Sequence, residues 1–242
     1  MSESLLPPVP EDWDSALAIA AHPDDLEYGA SCAIAKWTAA GKRVTYLMAT
    51  RGEAGIDAWA PSKTGPVREH EERQAGAAVG VDRVEFLDYQ DGVVEYGLPL
   101  RRDLARAIRI HKPQVLITGH FGIAWPSGGL NQADHRAVGL ATLDAARDAA
   151  NRWIFPELLA QGLEPWHGLR YVLVAGMTPS THGCVIAQAD LDRGIASLQA
   201  HHAYFDNLAQ PFDASDFLTQ AARAAGEQAG AELGVGFTLF SL

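Results

Sequence analysis

Cysteine is nearly absent from this 242-residue chain, which has only Cys32 and Cys184. Two thiols are too few for a disulfide framework, and neither has the local spacing of a cysteine-based zinc site. Cys32 falls in an expected helix, where a free thiol packs as a small hydrophobe. Any metal ion must therefore be held by histidine and carboxylate. Basic excess is missing too: 19 Lys and Arg stand against 30 Asp and Glu, a net charge of −11, which argues against a nucleic-acid partner. No run approaches the roughly 20 consecutive apolar residues that span a bilayer, so membrane insertion is not expected. Met1–Trp13 carries Glu3, Glu11 and Asp12 and lacks the apolar core of a secretion signal. It reads as the N-terminal extension of a cytoplasmic protein.

No internal repeat occurs, and no linker is long enough to cut the chain in two. With 48% hydrophobic residues, the chain supports one large core, a single domain over residues 1–242. Apolar runs and helical stretches alternate. Strands are expected over 16–21, 44–49, 84–89 and 115–118, and helices over 28–40, 67–79, 99–111 and 134–150, most of them bounded by glycine or proline. Such alternation favours a mainly parallel α/β sheet with helices on both faces. Farther on, 171–175 and 185–189 read as a hairpin-like pair of strands, and 191–203 and 215–229 as helices. The Ala/Gly-rich run 221–234 reads as exposed helix and turn. Two loops, 50–66 and 119–132, are long enough to be functional.

The first strand runs directly into His22-Pro23-Asp24-Asp25. Ligands of open α/β sheets bind at strand carboxyl ends, and imidazole with carboxylate suits zinc or iron. The connection before the helix at 134 carries Asp134-His135-Arg136. Capping of the helix N-terminus accounts for Asp134 alone, but not for a histidine at both connections. His22, Asp25 and His135 supply two nitrogens and one oxygen with a position left for water, the form of a catalytic zinc site. Adjacent Asp24 points elsewhere and is free to accept a proton from that water.

These residues, together with Thr50-Arg51-Gly52-Glu53-Ala54-Gly55, Arg68 with Glu71, and Asp91-Gly92, resemble the PIG-L/LmbE-like N-deacetylase family over roughly residues 15–205. The resemblance implies a Rossmann-like fold and zinc-dependent hydrolysis of an N-acyl, commonly N-acetyl, group on a small amino-sugar substrate. It implies His22, Asp25 and His135 as Zn2+ ligands and Asp24 as general base, and it makes a homo-oligomer plausible. One departure stands out. Three residues before the second histidine ligand the family commonly has a histidine that stabilises the tetrahedral intermediate; this chain has Gln132. Either Gln132 donates to the oxyanion as a neutral amide, or His120, His182 or His201 fills the space.

The remaining candidates each carry two readings. Glu53 and Arg68 lie at the site entrance by resemblance, and Arg68 either binds a polar substrate or pairs along its helix with Glu71 or Glu72. Asp91 binds a sugar hydroxyl or simply makes an Asp-Gly turn. Trp125 stacks on a substrate ring or covers core. His201 matches an Ala-His pair of the family, whereas His70, His111, His167 and His202 read as ordinary histidines. Two rivals to a hydrolase remain: a non-haem iron oxygenase with the same ligands, and a non-catalytic small-molecule-binding protein on the same fold.

Overall fold

A computed structural model describes residues 5–242; the reading at Glu3 lies outside them. In chain order the elements are β1 (Ser15–Ala20), α1 (Asp25–Gly29), α2 (Ser31–Ala39), β2 (Arg43–Met48), α3 (Pro61–Ala78) and β3 (Arg83–Phe86). There follow α4 (Leu98–His111), β4 (Val115–Thr118), α5 (Ala133–Asp148), α6 (Pro156–Ala160) and β5 (Tyr171–Ala175). The chain closes with β6 (His182–Val185), α7 (Gln188–Gln199), α8 (His202–Phe205), α9 (Ala214–Ala229) and β7 (Gly234–Ser241). Seven strands form one sheet in the order β3-β2-β1-β4-β5-β7-β6. The first five of these are mutually parallel, and β7 runs antiparallel to both β5 and β6.

Alternation along the strands builds two cores. Ala16, Ala18, Ala20, Tyr46, Met48 and Ile117 face one side, packed under α2, α7 and α9. Leu17, Ile19, Leu47, Leu116 and Val172 face the other, under α4 and α5. Burial on both faces is why β1 reads as a continuous apolar run. Chain order reverses between β1 and β4, so their carboxyl ends open the crevice in which such sheets bind ligands.

Several boundaries differ from the sequence reading. Helix α3 starts at Pro61 rather than 67, with Pro66 inside it. Pro61 occupies the first turn, where its missing N–H is no loss, and Pro66 forgoes a single hydrogen bond. The expected helix at 28–40 breaks at Ala30 into α1 and α2. The expected pair 171–175 and 185–189 is not a hairpin. The second strand falls at His182–Val185, and β7, unforeseen, lies between the two and pairs with both. The helix expected to reach 203 ends at Gln199, and α8 is separate. The 221–234 run is not all exposed: Ala222 is buried, and α9 packs on β6 and β7. Residues 8–13 of the N-terminal extension pack on the domain: Val9 and Trp13 are buried and Pro8 bridges to Gly183.

Candidate metal centre

The turn after β1 sets the site. Asp24 adopts a left-handed backbone conformation (φ 93°), which costs a non-glycine residue about 1–3 kcal/mol. Hydrogen bonds hold it there: the Asp24 amide donates to Glu72 Oε2 at 3.1 Å, and the amides of Glu27 and Tyr28 donate to the Asp24 carbonyl. Asp25 Oδ2 accepts the amides of Ala21 and His22 at 3.0 and 2.9 Å. That leaves Asp25 Oδ1 facing His135 Nε2 at 2.9 Å.

His22, Asp25 and His135 each turn one donor atom to a common point, all within 4.8 Å of one another. His22 Nδ1 lies 3.2 Å from His135 Nε2 and 3.6 Å from Asp25 Oδ2. The outward nitrogens are also engaged. His22 Nε2 faces Asp91 Oδ1 at 3.0 Å and Asp134 Oδ2 at 3.2 Å, and His135 Nδ1 meets Asn131 Oδ1 at 2.9 Å. An outward N–H bonded to an oxygen leaves the inward nitrogen as a lone pair, the arrangement of histidines that bind metals. Burial disfavours a charged His22, yet Asp25 and the carboxylates of Asp134 and Asp91 raise its pKa well above the ordinary value. Burial acts against the Asp25 carboxylate too, but His135 and His22 hold its pKa well below the usual range. A strongly stabilised anion between two histidines is a donor set with charge to match a cation, and the residues fit a metal ion.

Asp24 stands apart from this trio. Its Oδ2 accepts from Arg68 Nη2 at 2.8 Å, with both side chains buried. Burial lifts the Asp24 carboxyl to about 6, against the pull of Arg68 and with a push from Asp25. Arg68 also donates to the carbonyls of Pro23 and Gly52 and lies under the Tyr204 ring, 4.5 Å from its centroid. It is a buried brace that also lines the cavity described next, and neither Glu71 nor Glu72 pairs with it.

A cavity of about 740 Å3 opens over these groups. His120, Trp125 and Gln132 line it with the trio, and Tyr28, Tyr204 and Phe217 form an aromatic wall. The 119–132 loop makes a hairpin-like turn in which Ala124 bridges Leu130 and the Trp125 ring lies tilted against His120, centroids 5.1 Å apart. Gln132 caps α5, its Oε1 accepting the amides of Asp134 and His135. His120 Nε2 bonds the Ala124 carbonyl at 2.8 Å.

Other sequence candidates stand elsewhere. Glu53 uses both carboxylate oxygens on the amides of Arg51 and Asp91, tying two loops together, and is not among the residues lining the cavity. Asp91 lines the cavity, with Oδ1 facing His22 Nε2 and Oδ2 accepting the Ala54 amide. His201 is fully buried and does not line the cavity, and His182 lies on β6 with its ring against Thr181. Asp134 is more than a helix-start charge: it accepts the amides of Gly92 and Val94 while facing His22. Asn131, Glu27 and Tyr204 were not singled out from sequence, and Glu72 only as an alternative partner of Arg68. Arg68, Glu71 and Glu72 lie with Thr64 and Ala75 on the buried face of α3, a polar inward face at helical spacing.

Fold and site together define an α/β protein with a candidate metal centre at the carboxyl end of its central strand. The chain belongs to the PIG-L family: the family model described as GlcNAc-PI de-N-acetylase matches residues 17–146, over half of the chain. A curated relative, 1D-myo-inositol 2-acetamido-2-deoxy-alpha-D-glucopyranoside deacetylase of Rhodococcus erythropolis, is 31% identical over 214 residues, 75% of this chain and 64% of its own length. Matched stretches of two further curated relatives span 59% and 52% of their lengths. Among solved structures, N,N'-diacetylchitobiose deacetylase from Pyrococcus horikoshii superposes with TM-score 0.85 at 22% identity, covering 96% of this chain and 85% of that one. GalB, the 4-carboxy-2-hydroxymuconate hydratase of Pseudomonas putida, gives TM-score 0.76 at 19% identity, covering 95% and 97%. The two structures establish the fold and show that it carries more than one reaction, so activity must be argued from the site.

Proposed function

We propose that this protein is a zinc-dependent hydrolase that removes an acyl group, acetyl in the first instance, from the nitrogen of a small amino-sugar-containing substrate. One observation carries the reading: three side chains turn donor atoms to a common point, while a fourth, Asp24, shares the cavity but is held by Arg68 instead. Two imidazole nitrogens and one carboxylate oxygen suit zinc with a position left open. When bound there, zinc supplies Lewis acidity that polarises a carbonyl and lowers the pKa of water toward about 7.

The residues of the chain do the rest. Asp24 takes a proton from the attacking water and returns it to the departing amine. Of the two Asp24 carboxyl oxygens Arg68 engages Oδ2, and this fixes the direction in which the carboxyl presents the other. Gln132 has its oxygen committed to the α5 cap, so its amide N–H groups serve as the donors toward the carbonyl oxygen as charge develops, an interaction of about 3–4 kcal/mol at full strength. His120, donating through Nε2 to Ala124, has a bare Nδ1 and is no oxyanion donor when neutral. Trp125 and the Tyr28–Tyr204–Phe217 wall offer faces on which a sugar ring packs. The Rhodococcus relative's acetamido-glucopyranoside substrate supports the amino-sugar class.

The proposal includes a cytoplasmic setting and a homo-oligomer. Ile123 and Leu130, 72% and 75% exposed beside the cavity, support contact with a second copy. Among the described residues no helix is long and apolar enough to cross a membrane. The test is amine release from a panel of N-acetylated amino sugars, with enzyme stripped by chelator and then restored with zinc, under air and under nitrogen. One amine per acetate, dependent on zinc and indifferent to oxygen, is expected. Oxygen-dependent turnover, or metal binding without release from any substrate, contradicts the reading.

A further inference from the structure

A second convergence of ligand-type side chains lies in the interior, apart from the cavity. Glu27 of α1, Glu72 of α3 and His201, between α7 and α8, are each fully buried, and one donor atom from each lies within 4.8 Å of the others. His201 Nε2 is 3.8 Å from Glu27 Oε2 and 3.6 Å from Glu72 Oε2, within reach of strong attraction but too far for hydrogen bonds. Among the described residues, both ring nitrogens of His201, Glu27 Oε2 and Glu72 Oε1 have no hydrogen-bond partner. The buried Tyr46 hydroxyl, which feels the charges of Glu27 and Glu72, has none either.

The other carboxylate oxygens are anchored. Glu27 Oε1 accepts from Ser197 Oγ at 3.3 Å, and Glu72 Oε2 accepts the Asp24 amide at 3.1 Å. No lysine or arginine pairs with either glutamate among the described residues. Two carboxyl groups meet in the interior with no cationic side chain beside them, an arrangement that costs several kcal/mol when both are charged. A dication cancels their charge while His201 stays neutral. Ligand bonds of about 2.0–2.2 Å around one ion place donor atoms roughly 3–4 Å apart, the spacing of His201 Nε2 from each carboxylate here and of His22 Nδ1 from Asp25 Oδ2 at 3.6 Å.

We propose that Glu27, Glu72 and His201 form a second, internal site for a divalent cation of mixed nitrogen and oxygen preference, zinc or manganese. The ion ties together α1, α3 and the chain leading into α8. Through Glu72 it also braces the strained Asp24 backbone, so its role is structural and positional.

Because the site has no opening to solvent, the protein is loaded as it folds, by expression in medium supplemented with zinc or with manganese. Metal per chain is then measured by mass spectrometry, and anomalous diffraction at the corresponding edge locates the ions. Two ions per chain with one metal or the other are expected, the second lying among Glu27, Glu72 and His201. Replacing His22 and His135 together by Ala should remove the first ion and keep the second, and His201→Gln should do the reverse. One ion per chain with both metals, or a second peak elsewhere in the wild-type map, overturns the proposal even if no variant folds. The readout is occupancy and not turnover, so its failure leaves the hydrolase reading untouched.

Discussion

Arg68 and Asp24 meet in the interior, guanidinium Nη2 to carboxylate Oδ2 at 2.8 Å, with side chains 3% and 8% exposed. The same guanidinium bonds the Pro23 and Gly52 carbonyls. It therefore holds both the general base of the proposed reaction and the loop that follows β2. Removing one partner of a buried ion pair leaves an uncompensated charge, at about 3–5 kcal/mol. Arg68→Met should lower unfolding stability by that order in urea titration and lose turnover, whereas Arg68→Lys, which keeps the charge but not the fork of donors, should fall between.

Gly52 is bound into the same arrangement. Its φ is +61°, and a Cβ there would sit 2.3 Å from Arg68 Nη1. Gly52→Ala is strained twice over, in the backbone and against the guanidinium. We expect turnover to drop at least tenfold while metal content, measured by mass spectrometry, stays at the wild-type level.

His22 is oriented by Asp134, which faces its Nε2 at 3.2 Å and also receives the Gly92 and Val94 amides. Carboxylates that orient a ligand histidine typically contribute 10–100-fold in metal affinity. Asp134→Asn should weaken zinc binding by about that factor in chelator competition, and a value unchanged from wild type would assign His22 orientation to Asp91 alone.

Cys32 and Cys184 are buried and free, and burial pushes their thiols up to about 11 and about 12. Because the thiolate is the reactive form, such thiols are inert at neutral pH. A thiol reagent at pH 8 should label neither cysteine in the native protein and both in denaturant.

Much of this was legible in the sequence because the informative signals were local. A buried parallel strand has to be apolar on both faces, so β1, β4 and β5 stood out, and a strand running straight into His22-Pro23-Asp24-Asp25 marked the crevice. What stayed hidden depended on distant partners. Helix α3 buries Arg68, Glu71 and Glu72 rather than leucines, so hydrophobic periodicity could not find its inward face or its start at Pro61. Strand β7 followed an Ala/Gly-rich helix, and its pairing with both β5 and β6 depends on contacts far apart in sequence. The bonds that Asp91 and Glu53 make to backbone amides and to His22 were hidden as well, because the partners of a loop carboxylate are set by contacts far apart in sequence.

The most direct test compares zinc content and amine release for wild type, Asp24→Asn and His135→Ala on one N-acetylated amino sugar. With Asp24 moving the proton and His135 holding the metal, Asp24→Asn should keep about one zinc at the cavity site and lose turnover by two or more orders of magnitude, while His135→Ala should lose both. Asp24→Asn turning over at near the wild-type rate would contradict the account.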